Sequence, residues 1–371
     1  MQSHPGLIVN IGSYSAVPLQ GLVLTTNSPG GCGQLTGKLE YRPPYAPLLA
    51  LRENDRVEVF DAGGLVWRGR LEEKGADIQA GAAVWDFVAL GYAASLRDQE
   101  YTTATTFAGG TAIEAIFTTV RDDLCPDIST DNSLVVATGR TLAGVSADMI
   151  GKTAQDVMDA AMQIGDSAGQ RLYWHIWEGV RGANQEAQLE LIARPTTPEY
   201  VVGLEQGARV TIRWALSRLA NRIVVRWGAG PTYTTRNDTA SQAASPDGYG
   251  VTKIMHVQQD LVNTATDAQN VGDALLAQFA RVRAVASRIV IPSTAQIGTA
   301  GGGVVLPWRV RAGRMIRVRD LRPSSWGGEG YDFVIAGTSW DEDAQTLTVT
   351  PEGRDEVAHM IARYLRSERL T

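Results

Sequence analysis

Short runs of alternating apolar and polar residues, separated by glycine turns, are the feature that most limits what this chain can fold into. Residues 56–61 and 65–71 both alternate in this way, and Ala62-Gly63-Gly64 lies between them. Alternation with a period of two predicts strands with one buried face, and the glycine turn predicts a hairpin. A third run follows at residues 83–90. Short strands at regular spacing predict an antiparallel β-barrel or sandwich.

Composition excludes several classes of protein. The 371 residues are 44% hydrophobic and 20% charged, which is not the composition of a disordered chain. No apolar run approaches the ~20 residues of a membrane-spanning helix, so we expect no integral membrane segment. The net charge of −6 disfavours a nucleic-acid binder that acts by neutralising phosphates.

The middle of the chain changes from strand to helix patterns. Residues 112–120 carry apolar side chains every three or four positions, and a second such run begins after Thr153. These spacings predict two amphipathic helices, the second with Thr153 as its N-cap. A predicted strand pair follows at residues 171–177 and 188–193. Two prolines in residues 194–198 then predict a linker, because proline ends both helices and strands.

Strand patterns return in the second half. We predict an exposed loop at residues 230–250, which are rich in Thr, Ser, Asn, Asp and Gly, and a helix at residues 267–288. Alternation predicts further strands at residues 208–214, 221–227, 315–320, 332–336 and 346–350.

These elements predict a mainly β fold with α insertions (α+β). It has two antiparallel β-barrel domains, at residues 1–105 and 198–355, and an inserted α/β module at residues 106–197. A C-terminal helix is predicted at residues 356–371.

The two predicted barrels share a weak internal similarity. Residues 56–61 and 316–320 each begin a hairpin after a basic residue, and each is followed by an aromatic strand with an internal glycine. We interpret this as a hypothesis of two related barrels. Two like barrels in one chain would allow three chains to form a pseudo-sixfold ring.

Catalytic and metal-binding motifs are not found in the sequence. The glycine-rich residues 30–38 lack the glycine and the Ser or Thr that a phosphate-binding loop requires. The four histidines show no metal or triad spacing, and His175, between two tryptophans, is interpreted as a packed or interface side chain rather than a base. Two cysteines do not make a disulfide framework. We therefore expect no enzyme activity and no catalytic, cofactor-binding or metal-binding residues.

Six arginines between residues 309 and 322 form the strongest charge pattern. Arg317 and Arg319 flank Val318, so they point to the same face of a predicted strand. The pattern is compatible with a solvated outer face or with contacts to acidic residues of a neighbouring subunit. A DNA-facing lining is disfavoured, because attractive contacts would retain DNA. The predicted intersubunit contacts are Arg309, Arg311, Arg317 and Arg319.

Residues 55–71 resemble the first barrel of the tail hub proteins of tailed bacteriophages and related injection machines. Residues 110–165 look like the insertion that follows that barrel. Residues 219–227, the polar loop, the predicted helix and the hairpin at residues 331–351 are similar to the second barrel.

This resemblance implies a structural virion protein at the tail tip, assembled in the host cytoplasm. Three copies would form a hub ring that continues the sixfold tail tube and adapts it to a threefold tip. The implied partners are the tail tube or distal-tail ring protein, the tape-measure protein and a central fibre or spike. DNA would only pass through the channel.

Two alternatives remain open from the sequence. One is a hexameric distal-tail adaptor, in which six chains supply the symmetry. The other is a carbohydrate-binding or glycan-hydrolysing tail protein, which would use exposed aromatic side chains such as Trp174, Trp177, Trp227 and Trp326.

Overall fold

Strands dominate the computed structural model, which describes residues 6–40, 51–79, 82–182, 185–214, 219–228, 232–281, 284–320 and 330–352. In these ranges 21 strands form one sheet of 18 strands and one of three. In chain order the strands are β1 (Ile8–Ile11), β2 (Tyr14–Val17), β3 (Gln20–Asn27), β4 (Gly30–Glu40), β5 (Arg56–Asp61), β6 (Gly64–Gln79), β7 (Ala82–Gly91), β8 (Ile128–Ser129), β9 (Leu172–Gly182), β10 (Gln185–Ala193), β11 (Tyr200–Gly203), β12 (Arg209–Trp214), β13 (Arg222–Trp227), β14 (Thr232–Asn237), β15 (Ile254–Gln259), β16 (Ala284–Pro292), β17 (Ile297–Thr299), β18 (Val304–Val305), β19 (Met315–Arg319), β20 (Gly330–Asp341) and β21 (Thr346–Pro351). The helices are α1 (Ile113–Leu124), α2 (Ala154–Ile164), α3 (Thr239–Gln242) and α4 (Ala265–Phe279). The predicted class, mainly β with inserted helices, is confirmed.

The large sheet begins as an antiparallel array in the order β2-β1-β5-β6-β7-β4-β3. The predicted hairpin is present, because β5 and β6 pair from Arg56 opposite Arg70 to Asp61 opposite Gly64. The array continues through β20, β21 and β16 to β12.

The two predicted barrels meet where β3 pairs with β20. This ladder runs from Asn27 opposite Gly337 to Val23 opposite Asp341, and the hydroxyls of Thr26 and Thr338 lie 2.7 Å apart. One hydrophobic core lies beneath both halves and includes tryptophans from distant parts of the chain: Trp67, Trp177 and Trp340. The two halves are therefore joined by backbone pairing and by a shared core.

A second core lies between the helices and the small sheet. It combines Phe117 of α1 and Met158 of α2 with Val225 of β13 and Leu275 of α4. Thr153 caps α2 as predicted: it accepts a hydrogen bond from the backbone N–H of Asp156, whose side chain reaches back to the Thr153 N–H. The core thus unites part of the predicted insertion with residues assigned to the second barrel. The limits at residues 105, 197 and 355 stay predictions.

The helix predicted at residues 267–288 is corrected at its C-terminal end. The helix α4 ends at Phe279, and Ala284–Pro292 is the strand β16, which pairs with β12 and β21. Isoleucine and valine fill its centre at Ile289-Val290-Ile291, and such β-branched residues favour a strand buried between two neighbours.

The loop predicted at residues 230–250 is also corrected. Within it the structure forms β14 and the short helix α3, which Asp238 caps. The polarity of Thr-Tyr-Thr-Thr in β14 predicts a loop, but threonine and tyrosine also favour strands.

The predicted C-terminal helix at residues 356–371 lies outside the described residues. Within the part of the chain that the structure does describe, no helix is long and apolar enough to span a bilayer.

Candidate functional site

The arginine series lies along one segment of the chain, which leads into strand β19 in the second half of the sheet. Arg309 ends a short 3-10 turn, Pro307–Arg309, and Arg311 and Arg314 lie in the connection to β19. On β19 the side chains alternate: Val318 is buried, whereas Arg317 is half-buried and Arg319 is exposed. The prediction that Arg317 and Arg319 share one strand face is confirmed.

Arg309 binds a carboxylate of the first half of the sheet. Its Nε donates to Oδ2 of Asp61 at 2.7 Å, and its Nη2 donates to Oδ1. Trp308 Nε1 donates to the same Oδ2 at 2.9 Å. Burial alone would raise the pKa of Asp61. The hydrogen bonds from Arg309 and Trp308 outweigh this effect, so the pKa of Asp61 lies below its ordinary value. The carboxylate is therefore held ionised between the two halves.

Arg311 lies between a buried carboxylate and an aromatic ring. It donates through Nη2 to Glu178 of β9, and its guanidinium carbon is 4.6 Å from the centre of the Trp177 ring. The Cys32 thiol donates to the other Glu178 oxygen at 3.5 Å. Burial raises the pKa of Glu178 above its ordinary value, and the Arg311 charge opposes that shift.

Arg314 contacts two carboxylates that differ in burial. Its Nη2 donates to Glu190, and its Nε lies 3.2 Å from the exposed Glu199. Glu190 also accepts from Trp177 Nε1 at 2.8 Å and contacts His175 Nδ1 at 3.0 Å. Burial raises the pKa of Glu190, but these partners outweigh it and lower the pKa to about 2.

His175 links Glu190 to Ser28 in the order of a hydrolase triad. Its Nε2 lies 2.9 Å from Ser28 Oγ. Burial lowers the pKa of His175, and the Glu190 carboxylate only accepts hydrogen bonds. We therefore place the ring proton on Nδ1, which donates to Glu190. The Ser28 hydroxyl then donates to Nε2. The ring is fully buried, and a Cβ placed on Gly313 would lie 2.3 Å from Nε2. The backbone at Gly313 therefore covers Nε2, the nitrogen that would act as the base in a hydrolase. The geometry favours a structural hydrogen-bond network over a catalytic triad.

The four predicted contact residues differ in their partners. Arg309 and Arg311 find acidic partners within the chain. Arg317 also does so, donating to Asp332 on the adjacent β20 at 2.7 and 2.8 Å. Arg319 is exposed on β19. A role for these arginines between subunits stays a prediction, and Arg322 lies outside the described residues.

Sequence reasoning missed a buried cluster around Glu352. This carboxylate accepts from Tyr173, from Arg194 and from Gln278 Nε2 at 3.0 Å. Arg171 Nη1 lies 3.9 Å from it. The sequence gives no signal for the cluster, because Glu352 is separated from its partners by 74 residues or more.

The expected exposed tryptophans are mostly not exposed. Trp174 and Trp177 are 1% and 2% accessible, so the interpretation of them as sugar platforms is wrong. Their indole N–H groups donate to Asp159 and Glu190. Trp227 is half-buried and donates to Thr234, whereas Trp326 lies outside the described residues.

Among the described residues, no group of three or more His, Cys, Asp and Glu side chains is arranged to hold a metal ion.

Comparisons with known proteins bear on the fold. The sequence matches no protein-family model and no curated protein. The structure is similar to the tail protein from Neisseria meningitidis MC58, with a TM-score of 0.60, 12% identity, and 94% of this chain and 97% of that chain covered. It is also similar to the 43 kDa tail protein of prophage MuSo2 from Shewanella oneidensis, with a TM-score of 0.60, 11% identity and coverages of 93% and 98%.

A third similar structure comes from a secretion system. The E. coli c3393 protein, a type VI secretion component described as similar to phage T4 tail proteins gp27 and gp5, has a TM-score of 0.51. Its identity is 10%, with 93% of this chain and 77% of that chain covered. The chain therefore has the fold of phage tail proteins, as the resemblance to the tail hub proteins predicted.

Proposed function

We propose that the chain is a structural tail protein, without catalytic activity, that forms a hub ring at the tail tip. Three copies would place six barrel halves around a channel. The ring would continue a sixfold tail tube and present threefold symmetry to the tip.

The observation that carries the proposal is the end-to-end similarity to solved tail proteins, which extends over 94% of this chain and 97% of the Neisseria protein. The pairing of β3 with β20 adds a physical argument. It joins both halves in one sheet, so each chain would contribute a rigid pair of barrel halves to the ring.

The partners follow from that position. On one side the ring would contact the tail tube or a distal-tail ring protein, and on the other a central fibre or spike. The channel would hold the tape-measure protein and then pass DNA. A net charge of −6 suits the passage of DNA, because a negatively charged chain makes few attractive contacts with phosphates and so would not retain the DNA. The site of action would be the virion tail tip, after assembly in the host cytoplasm.

Within this ring, Arg317 and Arg319 are the proposed intersubunit contacts, because they lie on the outward face of β19. Arg309 and Arg311 would act differently, by orienting the parts of one chain through Asp61 and Glu178.

The proposal is tested by the absolute mass of the purified chain, measured by light scattering at rising concentration. We expect an assembly of three times 39.9 kDa, which the Arg319→Glu variant weakens. A six-chain assembly would favour the hexameric distal-tail adaptor. A chain that stays monomeric at every concentration would contradict the ring.

A further inference from the structure

The three-stranded sheet has one covered face and one uncovered face. Ile223 and Val225 of β13 are fully buried on the inner side, in the core that contains α4. On the same side, Arg236 of β14 donates to Asp273 of α4 at 2.6 and 3.0 Å. The inner side is therefore closed by the helix.

The outer face consists of nine residues that the strand register places side by side. Paired residues of neighbouring strands lie on the same face, and successive residues alternate. The outer face comprises Arg222, Val224 and Arg226 of β13, Tyr233, Thr235 and Asn237 of β14, and Ile254, His256 and Gln258 of β15.

The composition of the outer face is unusual for this chain. It holds two arginines and no carboxylate, although the protein has 40 acidic residues against 34 basic ones. Tyr233 is 56% exposed and Ile254 is 52% exposed. Arg222 and Arg226 are half-buried. Tyrosine and arginine with an apolar neighbour are typical of protein interfaces.

The nearest carboxylates in sequence have basic partners. Asp238, just after β14, pairs with Arg281 at 3.2 Å, and Asp260, just after β15, pairs with Lys152 at 2.8 Å. Asp260 also accepts a hydrogen bond from Gln258 Nε2 of the outer face at 2.9 Å. Both flanking carboxylates are therefore engaged by groups within the chain.

The strand β14 is also an edge strand. Within the described residues its only ladder partner is β13, with a regular register from Thr232 to Asn237 and no bulge or proline. Proteins commonly protect such edges with lysine, proline or bulges. Arg236 is the charged residue of β14, and its charge is compensated by Asp273.

From the open edge and the basic outer face we propose that β14 accepts an extended, carboxylate-bearing strand of a neighbouring protein. The added strand would form main-chain hydrogen bonds with β14 and place acidic side chains beside Tyr233, within reach of Arg226. The identity of the neighbour as a tail component rests on the proposed function; the binding chemistry does not.

A protein strand fits these features better than a nucleic acid. Val224 and Ile254 make part of the outer face apolar, and an edge strand satisfies its backbone groups by pairing with another backbone. Single-stranded DNA would use neither feature.

The test uses the full chain and a fluorescein-labelled peptide of alternating threonine and glutamate, about eight residues long so that it spans β14. Fluorescence anisotropy should show saturable binding that rising salt weakens. We expect Arg226→Glu to weaken binding about tenfold, whereas Arg52→Glu, a charge reversal at an exposed arginine in the first half, leaves binding unchanged.

Two control probes separate strand addition from general charge attraction. The same peptide with every backbone amide N-methylated should lose binding, because neither of its edges can then donate hydrogen bonds to the backbone of β14. A peptide with lysine in place of glutamate should not bind. The inference is overturned if the acidic peptide does not bind, if N-methylation has no effect, or if single-stranded oligothymidine competes for the same arginine.

These results can be distinguished from a failure of the proposed ring. Peptide binding to a chain that remains monomeric would support strand addition at β14 and contradict the hub ring. A three-chain ring without peptide binding would support the hub ring and contradict strand addition.

Discussion

Replacing Glu190 by glutamine should destabilise the fold strongly, because this carboxylate holds the junction between the hairpin β9–β10 and the segment that precedes β19. Its side chain is 6% exposed and bonded to Arg314, His175 and Trp177. A pKa of about 2, against an ordinary 4.5, corresponds to about 3 kcal/mol of stabilisation at neutral pH, at about 1.4 kcal/mol per pH unit.

The matched control is Glu199→Gln, since Glu199 contacts the same arginine at 3.2 Å but is 49% exposed. An exposed ion pair contributes about 1 kcal/mol at most. Urea unfolding at pH 7, followed by tryptophan fluorescence, compares the two variants. Equal losses for Glu190→Gln and Glu199→Gln would refute the reasoning.

The pH dependence supplies a second, independent readout. The pKa of Glu190 is lowered in the folded state, so its contribution is complete above pH 4.5 and is lost as the pH falls toward about 2. The difference between wild type and Glu190→Gln should shrink over that range. Burial also lowers the pKa of His175, so the wild type should begin to lose stability below its ordinary pKa of 6.5.

Two further predictions concern close packing. A Cβ on Gly31 would lie 2.2 Å from the carbonyl oxygen of Ile176, so Gly31→Ala should cost about 3 kcal/mol or more or prevent folding, whereas Gly301→Ala, with open space around it, should be neutral in the same urea titration. Cys32 and Cys125 are buried, and burial raises the pKa of both thiols, that of Cys125 to about 12. Neither should react with a thiol reagent in the native protein, and both should react in denaturant; fast native reaction would contradict the packing.

Local patterns in the sequence were sufficient where the structure is local. The period of two identified β5, β6 and β7, and the capping residue Thr153 identified the start of α2. The errors arose where tertiary context decides. The start of β16, residues 284–288, is predicted as helix because Val285 also fits the helical spacing, and the pairing of β16 with β12 and β21 is not visible in sequence.

The candidate site was predictable only in part. That Arg317 and Arg319 share one face follows from alternation along one strand. The partners of Arg309 and Arg311 do not, because Asp61 and Glu178 are 248 and 133 residues away. The network around Glu352 has the same character, and no spacing rule finds it.

The most direct test of the central claim is to count lobes in class averages of the assembled ring by electron microscopy. Because one chain joins two barrel halves through β3 and β20, a ring of three chains should show six similar lobes with threefold symmetry. A three-chain ring with three lobes, or a ring of six chains, would contradict the account.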